Sequence, residues 1–197
     1  MSKRALVVDA HQKWEGFAEG RLNSDMAVLT GKVLKACGYE IRTSTVEQGY
    51  DPAEELDKTQ WADVLVVHTP VFWFGVPGLF KTYIDEVYTA GIGRLWESDG
   101  RSSTDASKRY GSGGLTEGKQ YMICTTWNAP KETFGDPTQF FDGKTVDEVF
   151  IGLHKLYQFM GMSRLAGYHC HDVLKNPQIE QDFVAYTALL KNTFYHD

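Results

Sequence analysis

The sequence has no long apolar run, no glycine-rich phosphate fingerprint and no paired cysteines. Each absence removes a class of protein. No uninterrupted apolar stretch approaches the ~18 residues a membrane span requires. The N-terminal "MSKRALVVDAHQ" turns polar after one short run, unlike a secretory leader. A cytoplasmic protein without membrane insertion is expected. Neither GxGxxG nor GxxxxGK[ST] occurs, so the usual dinucleotide and P-loop signatures are missing. Cys37, Cys124 and Cys170 are far apart and fit no CxxC or zinc pattern; they read as small buried hydrophobes in a reducing compartment. Positive charge is also short, with 20 Lys and Arg against 26 Asp and Glu. That balance argues against a broad nucleic-acid surface, whose affinity comes from clustered cations.

What is present follows an alternating order. "RALVVDA" (4–10) and "DVLVVHT" (63–69) are valine-rich apolar runs, the pattern of strands covered on both faces. "YEIRTSTV" (39–46), "KQYMICTTW" (119–127) and "SRLAGYHCHDVL" (163–174) read as three more strands. Leu22, Met26, Leu29, Val33 and Cys37 recur at helical spacing as far as Gly38. Asp51 and Pro52 open a short helix over 51–62, as an N-cap and first-turn pair. Apolar stripes from Leu79 to Tyr88, from Val146 to Met160 and from Ile179 to Phe194 mark three further helices. Nothing resembles a repeat or an interdomain linker, so residues 1–197 read as a single domain. The segments at about 92–118 and 128–144 are longer than ordinary connections and read as insertions.

Five strands alternating with helices imply a parallel sheet wrapped on both sides, because each parallel crossover needs a covering helix. The expected fold is α/β, a flavodoxin-like three-layer sandwich with strand order 2-1-3-4-5. Ligands of such sheets sit beyond the carboxyl ends of the strands, so three loops should converge there.

After strand one, Gly20, Arg21, Leu22 and Asn23 bring free backbone N–H groups to a helix N-terminus, which favours a phosphate. An ordinary capped loop is the alternative. After strand three comes "TPVFWFGVPG", stiffened by Pro70 and Pro77 and relieved at Gly75. A planar heteroaromatic ring lying on Val71, Phe72 and Trp73 would cover side chains that are costly to leave bare. Packing under a neighbouring loop or subunit would do the same. After strand four, "TTWNAP" supplies a second tryptophan and Asn128, whose amide both donates and accepts. His154 lies in a helical stripe and reads as structural. His169 and His171 lack a third ligand, so no metal site is assigned.

"WADVLVVHTPVFWFGVPGLFKTYIDEVYT", "DGRSSTDASKRYGSGGLTEGKQYM" and "TTWNAP…FF" resemble the flavodoxin-fold NAD(P)H:quinone oxidoreductases, bacterial modulator of drug activity B type, with DT-diaphorase more distant. The resemblance covers essentially the whole chain. It implies a homodimeric FAD enzyme that passes a hydride from NADPH or NADH through flavin N5 to a quinone, in two-electron ping-pong steps. It matches Ala18, Glu19, Gly20, Arg21, Leu22 and Asn23 to the family's diphosphate loop. Pro70, Val71, Phe72 and Trp73 match the turn against the isoalloxazine, where the family pattern carries Gly and a paired Trp in place of Val71 and Phe72. Thr126, Trp127, Asn128 and Ala129 match the flavin's other edge, and Tyr110 matches a cofactor contact in the long insertion. No catalytic side chain is assigned. The rival expectations are an FMN-dependent azo- or nitroreductase, a flavodoxin-like one-electron carrier, and a flavin-free sensor.

Overall fold

The apolar runs become strands in the computed structural model, which describes residues 3–195. Strands β1 (Arg4–Asp9) and β3 (Val64–Pro70) are buried along nearly their whole length. They pair in parallel with each other, β1 also with β2 (Glu40–Thr45), and β3 with β4 (Gln120–Thr126). The strand order is therefore 2-1-3-4-5, as expected.

Alternation along the strands divides the core into two layers. Leu6, Val8, Leu65, Val67, Tyr121 and Ile123 face helix α3 (Gly78–Thr89), which answers with Phe80, Tyr83 and Val87. Ala5, Val64, Val66 and Met122 face α1 (Arg21–Ala36) and the C-terminal helix, which supply Met26, Leu34, Tyr186 and Leu190. Helix α2 (Pro52–Trp61) starts where Asp51 and Pro52 indicate: the Asp51 carboxylate accepts from the N–H groups of Ala53 and Glu54 at 2.9 and 3.0 Å. No helix among the described residues is long and apolar enough to cross a membrane.

Two elements depart from expectation. The stripe from Val146 to Met160 is not one helix but α4 (Val146–Val149) and α5 (Ile151–Phe159), broken at Phe150. Phe150 leaves helical geometry and packs edge-on against Trp127, with centroids 5.4 Å apart. The fifth strand is likewise divided, into β5 (Ser163–Arg164) and β6 (Tyr168–Cys170), both paired with β4. Between them the chain passes close over its neighbour: a Cβ on Gly167 would stand 2.1 Å from the Ile123 carbonyl oxygen. Helix α6 (Ile179–Phe194) completes the second layer.

Candidate functional site

Register brings the loops together. Pro70 lies opposite Thr126 across the β3–β4 pair, and just beyond it the Val71 N–H donates to the Thr126 carbonyl at 3.0 Å. On the other side Asp9 lies opposite His68, and the Ala10 N–H donates to the His68 carbonyl at 2.8 Å. The loops after β1, β3 and β4 therefore leave the sheet edge side by side.

They enclose a cavity of about 500 Å3. One end is the first turn of α1. Gly20 caps that helix with φ of 75°, no side chain caps it, and the first turn carries no acidic residue. Among the described residues, no acceptor pairs with the backbone N–H groups of Arg21, Leu22 or Asn23. Three aligned donors of this kind attract an anion.

Buried polar groups hold this turn from below. Asp9 accepts from Asn23 Nδ2 and Ser24 Oγ, both at 2.6 Å, and faces His11 Nδ1 at 3.2 Å. His11 Nε2 in turn stands 2.6 Å from a Glu47 oxygen, whose other oxygen accepts the Lys13 N–H. The His11 ring lies so close under Gly20 that a Cβ there would fall 2.0 Å from its Cδ2. Glycine is thus required twice, for its dihedral and for its missing side chain. Outside, residues 14–18 form a small hairpin closed by the Trp14 and Ala18 backbones. The Gly16 N–H and the Lys13 ammonium hold Glu19 below the usual carboxylate range.

The other end of the cavity is aromatic. Phe72 and Gly75 exchange two backbone hydrogen bonds of 3.0 Å, closing a two-residue hairpin turn. Its central residues, Trp73 and Phe74, have φ of 48° and 64°. Both are left-handed, where L side chains are strained, and turns of this kind ordinarily use Asn-Gly. Trp73 is 94% exposed, while Phe74 stacks at 5.4 Å on Phe140 from the 128–144 excursion. Phe72 and Trp73 also border a second, smaller cavity of about 390 Å3, completed by Trp14, Phe17 and the start of α3.

A family model for the flavodoxin-like fold matches residues 3–192. The chain belongs to this family. The flavodoxin-like chain is 41% identical over 189 residues to the NADPH:quinone oxidoreductase MdaB of Haemophilus influenzae, covering 96% of this chain and 98% of that protein. The resemblance to the quinone oxidoreductases, which covers essentially the whole chain, is thereby borne out. Among solved structures, the FMN-bound general stress protein 14 of Treponema denticola has a TM-score of 0.68 at 17% identity, covering 96% of this chain and 98% of that one. An FMN-dependent NADH-azoreductase of Bacillus anthracis, solved with FMN, has a TM-score of 0.69 at 11% identity, covering 98% and 99%. At such identities these two share the fold.

In this flavodoxin-like chain, residues Ala18 to Asn23, Pro70 to Trp73, Thr126 and Asn128 all line the larger cavity. Three residues singled out from the sequence lie elsewhere. Trp127 is 2% exposed and turns its indole into the core among Phe134, Phe141 and Phe150. Ala129 packs against that core, and its carbonyl accepts the Asp172 N–H. Tyr110 lies out on the insertion against Phe159 and Arg101. Conversely, Gln12, Phe17, Val173, Leu174 and Ile179 line the cavity without having been picked out. The available signal was the apolar tail of "HDVL", which runs past the end of β6 to the cavity. His154 is structural: it is buried, its Nδ1 lies 3.1 Å from the Tyr121 hydroxyl, and Nε2 lies 3.1 Å from Asp147. No group of three metal-ligating side chains occurs among the described residues.

Proposed function

We propose that the chain is an FAD-dependent NAD(P)H:quinone oxidoreductase, working as a cytoplasmic homodimer. The convergence of an uncapped helix N-terminus and a strained aromatic turn on one cavity supports this most directly. A flavin bound there would supply the redox chemistry, two-electron hydride transfer between NADPH or NADH and a quinone.

The chain's own residues bind, orient and exclude water. The N–H groups of Arg21, Leu22 and Asn23 bind the diphosphate, with Gly20 letting the backbone approach. Pro70 to Trp73 and the Asn128 amide, which line the same cavity, would hold the ring system. Leu174 and Ile179, 56% and 39% exposed, offer apolar area beyond the diphosphate turn, which suits an adenine and favours FAD over FMN. Phe72 and Trp73, which border both cavities, present flat surfaces to a planar substrate. The FMN carried by the two structural relatives keeps an FMN enzyme as the second reading.

The test is the absorption spectrum of the purified protein, followed by anaerobic NADPH and then a quinone. A flavin spectrum that bleaches on NADPH and returns on quinone is expected, with FAD released by heat and identified by chromatography. Released FMN would replace the cofactor assignment. Flavin that ignores both nicotinamides, or protein that takes up no flavin, would overturn the enzyme reading.

A further inference from the structure

A chain of buried groups runs behind the cavity wall, and its direction is fixed by donor chemistry. The Trp127 indole N–H, which can only donate, lies 2.7 Å from Thr125 Oγ1. The Thr125 hydroxyl has a single hydrogen, is 2% exposed, and has one further partner, His169 Nδ1 at 2.7 Å. Among the described residues no other acceptor lies within reach of that buried hydrogen, so the hydroxyl accepts from Trp127 and donates to His169 rather than leave it unpaired. Nδ1 must be the bare nitrogen of the ring, and the ring hydrogen sits on Nε2, which faces Asp147 Oδ1 at 3.8 Å. Burial, which pushes the His169 pKa down to about 4, agrees with a neutral ring.

This chain has a lever arm. Along β4 and its continuation, side chains alternate between faces. Thr125 and Trp127 point inward while Thr126 and Asn128 line the cavity. The Trp127 backbone is tied to β6 and the loop after it, donating to the Cys170 carbonyl at 2.8 Å and accepting from Val173 at 3.0 Å. How the indole is anchored on one face thus decides how its neighbours present on the other.

We propose that His169 is a positioning residue: through the Thr125 hydroxyl it fixes the Trp127 indole, and thereby sets how Thr126 and Asn128 enter the cavity. Its consequence for catalysis rests on the reading of that cavity as a flavin site. His169 touches no reacting group. It supplies the acceptor that orients the hydroxyl, and any side chain with an acceptor at the Nδ1 position serves equally.

That last property gives the test. His169→Asn places an amide oxygen where Nδ1 stands; His169→Phe fills the space with no acceptor; Thr125→Val removes the hydroxyl while keeping its shape. Hydrogen exchange of the Trp127 indole N–H is followed by nuclear magnetic resonance, the signal being assigned by its loss in Trp127→Phe. The dissociation constant for added FAD is measured on the same samples. His169→Phe and Thr125→Val are expected to speed indole exchange and weaken FAD binding by about tenfold, the size of one buried hydrogen bond. His169→Asn is expected to restore both to near the original values. Indole exchange unchanged in His169→Phe, or His169→Asn behaving like His169→Phe, would overturn the proposal. A failure of the unaltered protein to bind FAD would remove the flavin reading, while indole exchange would still decide the role of His169.

Discussion

At the scale of single residues, Trp73 and Phe74 stand against their own local preferences. A bulky L residue at positive φ costs on the order of 1 kcal/mol, and two occur in succession. Trp73 recovers little of this by burial, being 94% exposed. Trp73→Gly relieves the strain, and glycine's looser unfolded chain takes back about 0.5–1 kcal/mol of the gain. The thermal midpoint is therefore expected to stay within about 2 °C. NADPH:quinone turnover is expected to fall about tenfold, as a misplaced or missing positioning surface would cause. A drop of several degrees with turnover retained would show that the indole is there for packing. The sequence announced the aromatics and the flanking prolines but not the strain, because a turn of this shape ordinarily advertises itself by Asn and Gly. Trp127 misled for a related reason: "TTWNAP" shows an aromatic near the site, and only alternation from Thr125 says that its ring turns inward.

At the scale of elements, periodicity was enough for α1, α3 and α6 and for the central strands, because burial on both faces of a parallel sheet leaves long apolar runs. What it missed were interruptions caused by distant partners. The turn at Phe150 answers to Trp127, and the gap between β5 and β6 answers to Ile123; neither partner is near in sequence. The same holds for the buried polar cluster joining α1, β3 and α6. Here His68 Nε2 lies 2.8 Å from Thr30 Oγ1 and 3.3 Å from the Tyr186 hydroxyl. Burial pushes the His68 pKa down to about 4, against a partial opposing pull from Asp9. Its ordinary value is 6.5, so between those values the unfolded chain takes up a proton that the folded one refuses. Stability should therefore fall as pH drops from about 6.5 to about 4, and the contribution of this group should level off below. His169 acts in the same window. Asp147, held below its usual range chiefly by His154, loses its contribution only at lower pH. Urea midpoints at pH 7.5 and pH 5 should differ by the equivalent of a few kcal/mol, about 1.4 for each pKa unit. Equal midpoints would mean that the cluster accommodates a charged ring.

At the scale of the whole molecule, assembly is the least legible property, since no local pattern encodes a partner. The aromatic surplus gave a hint, and the structure distributes it: Phe74 and Phe140 stack in the open, and an apolar groove of about 410 Å3 runs between α3 and α5 past Ile84, Val149 and Leu153. The two exposed phenyl rings are costly to leave bare on a monomer. Sedimentation equilibrium is expected to return twice the chain mass at micromolar concentration. A single-chain mass there would leave the groove for another occupant and remove the homodimer.

The divided fifth strand has a consequence for behaviour in crowded solution. An open sheet invites foreign strands to add along its margins, and long flat margins are where fibrils and precipitates begin. Here one margin consists of two fragments, of two and three residues, separated by a segment that crosses close to the neighbouring strand β4. Neither offers enough consecutive backbone groups for an incoming chain to zip onto. The opposite margin, Glu40 to Thr45, carries Glu40 and Arg42, with the Arg42 guanidinium laid over the Trp61 ring at 4.2 Å. The break that periodicity did not show therefore also leaves this margin a poor template for strand addition.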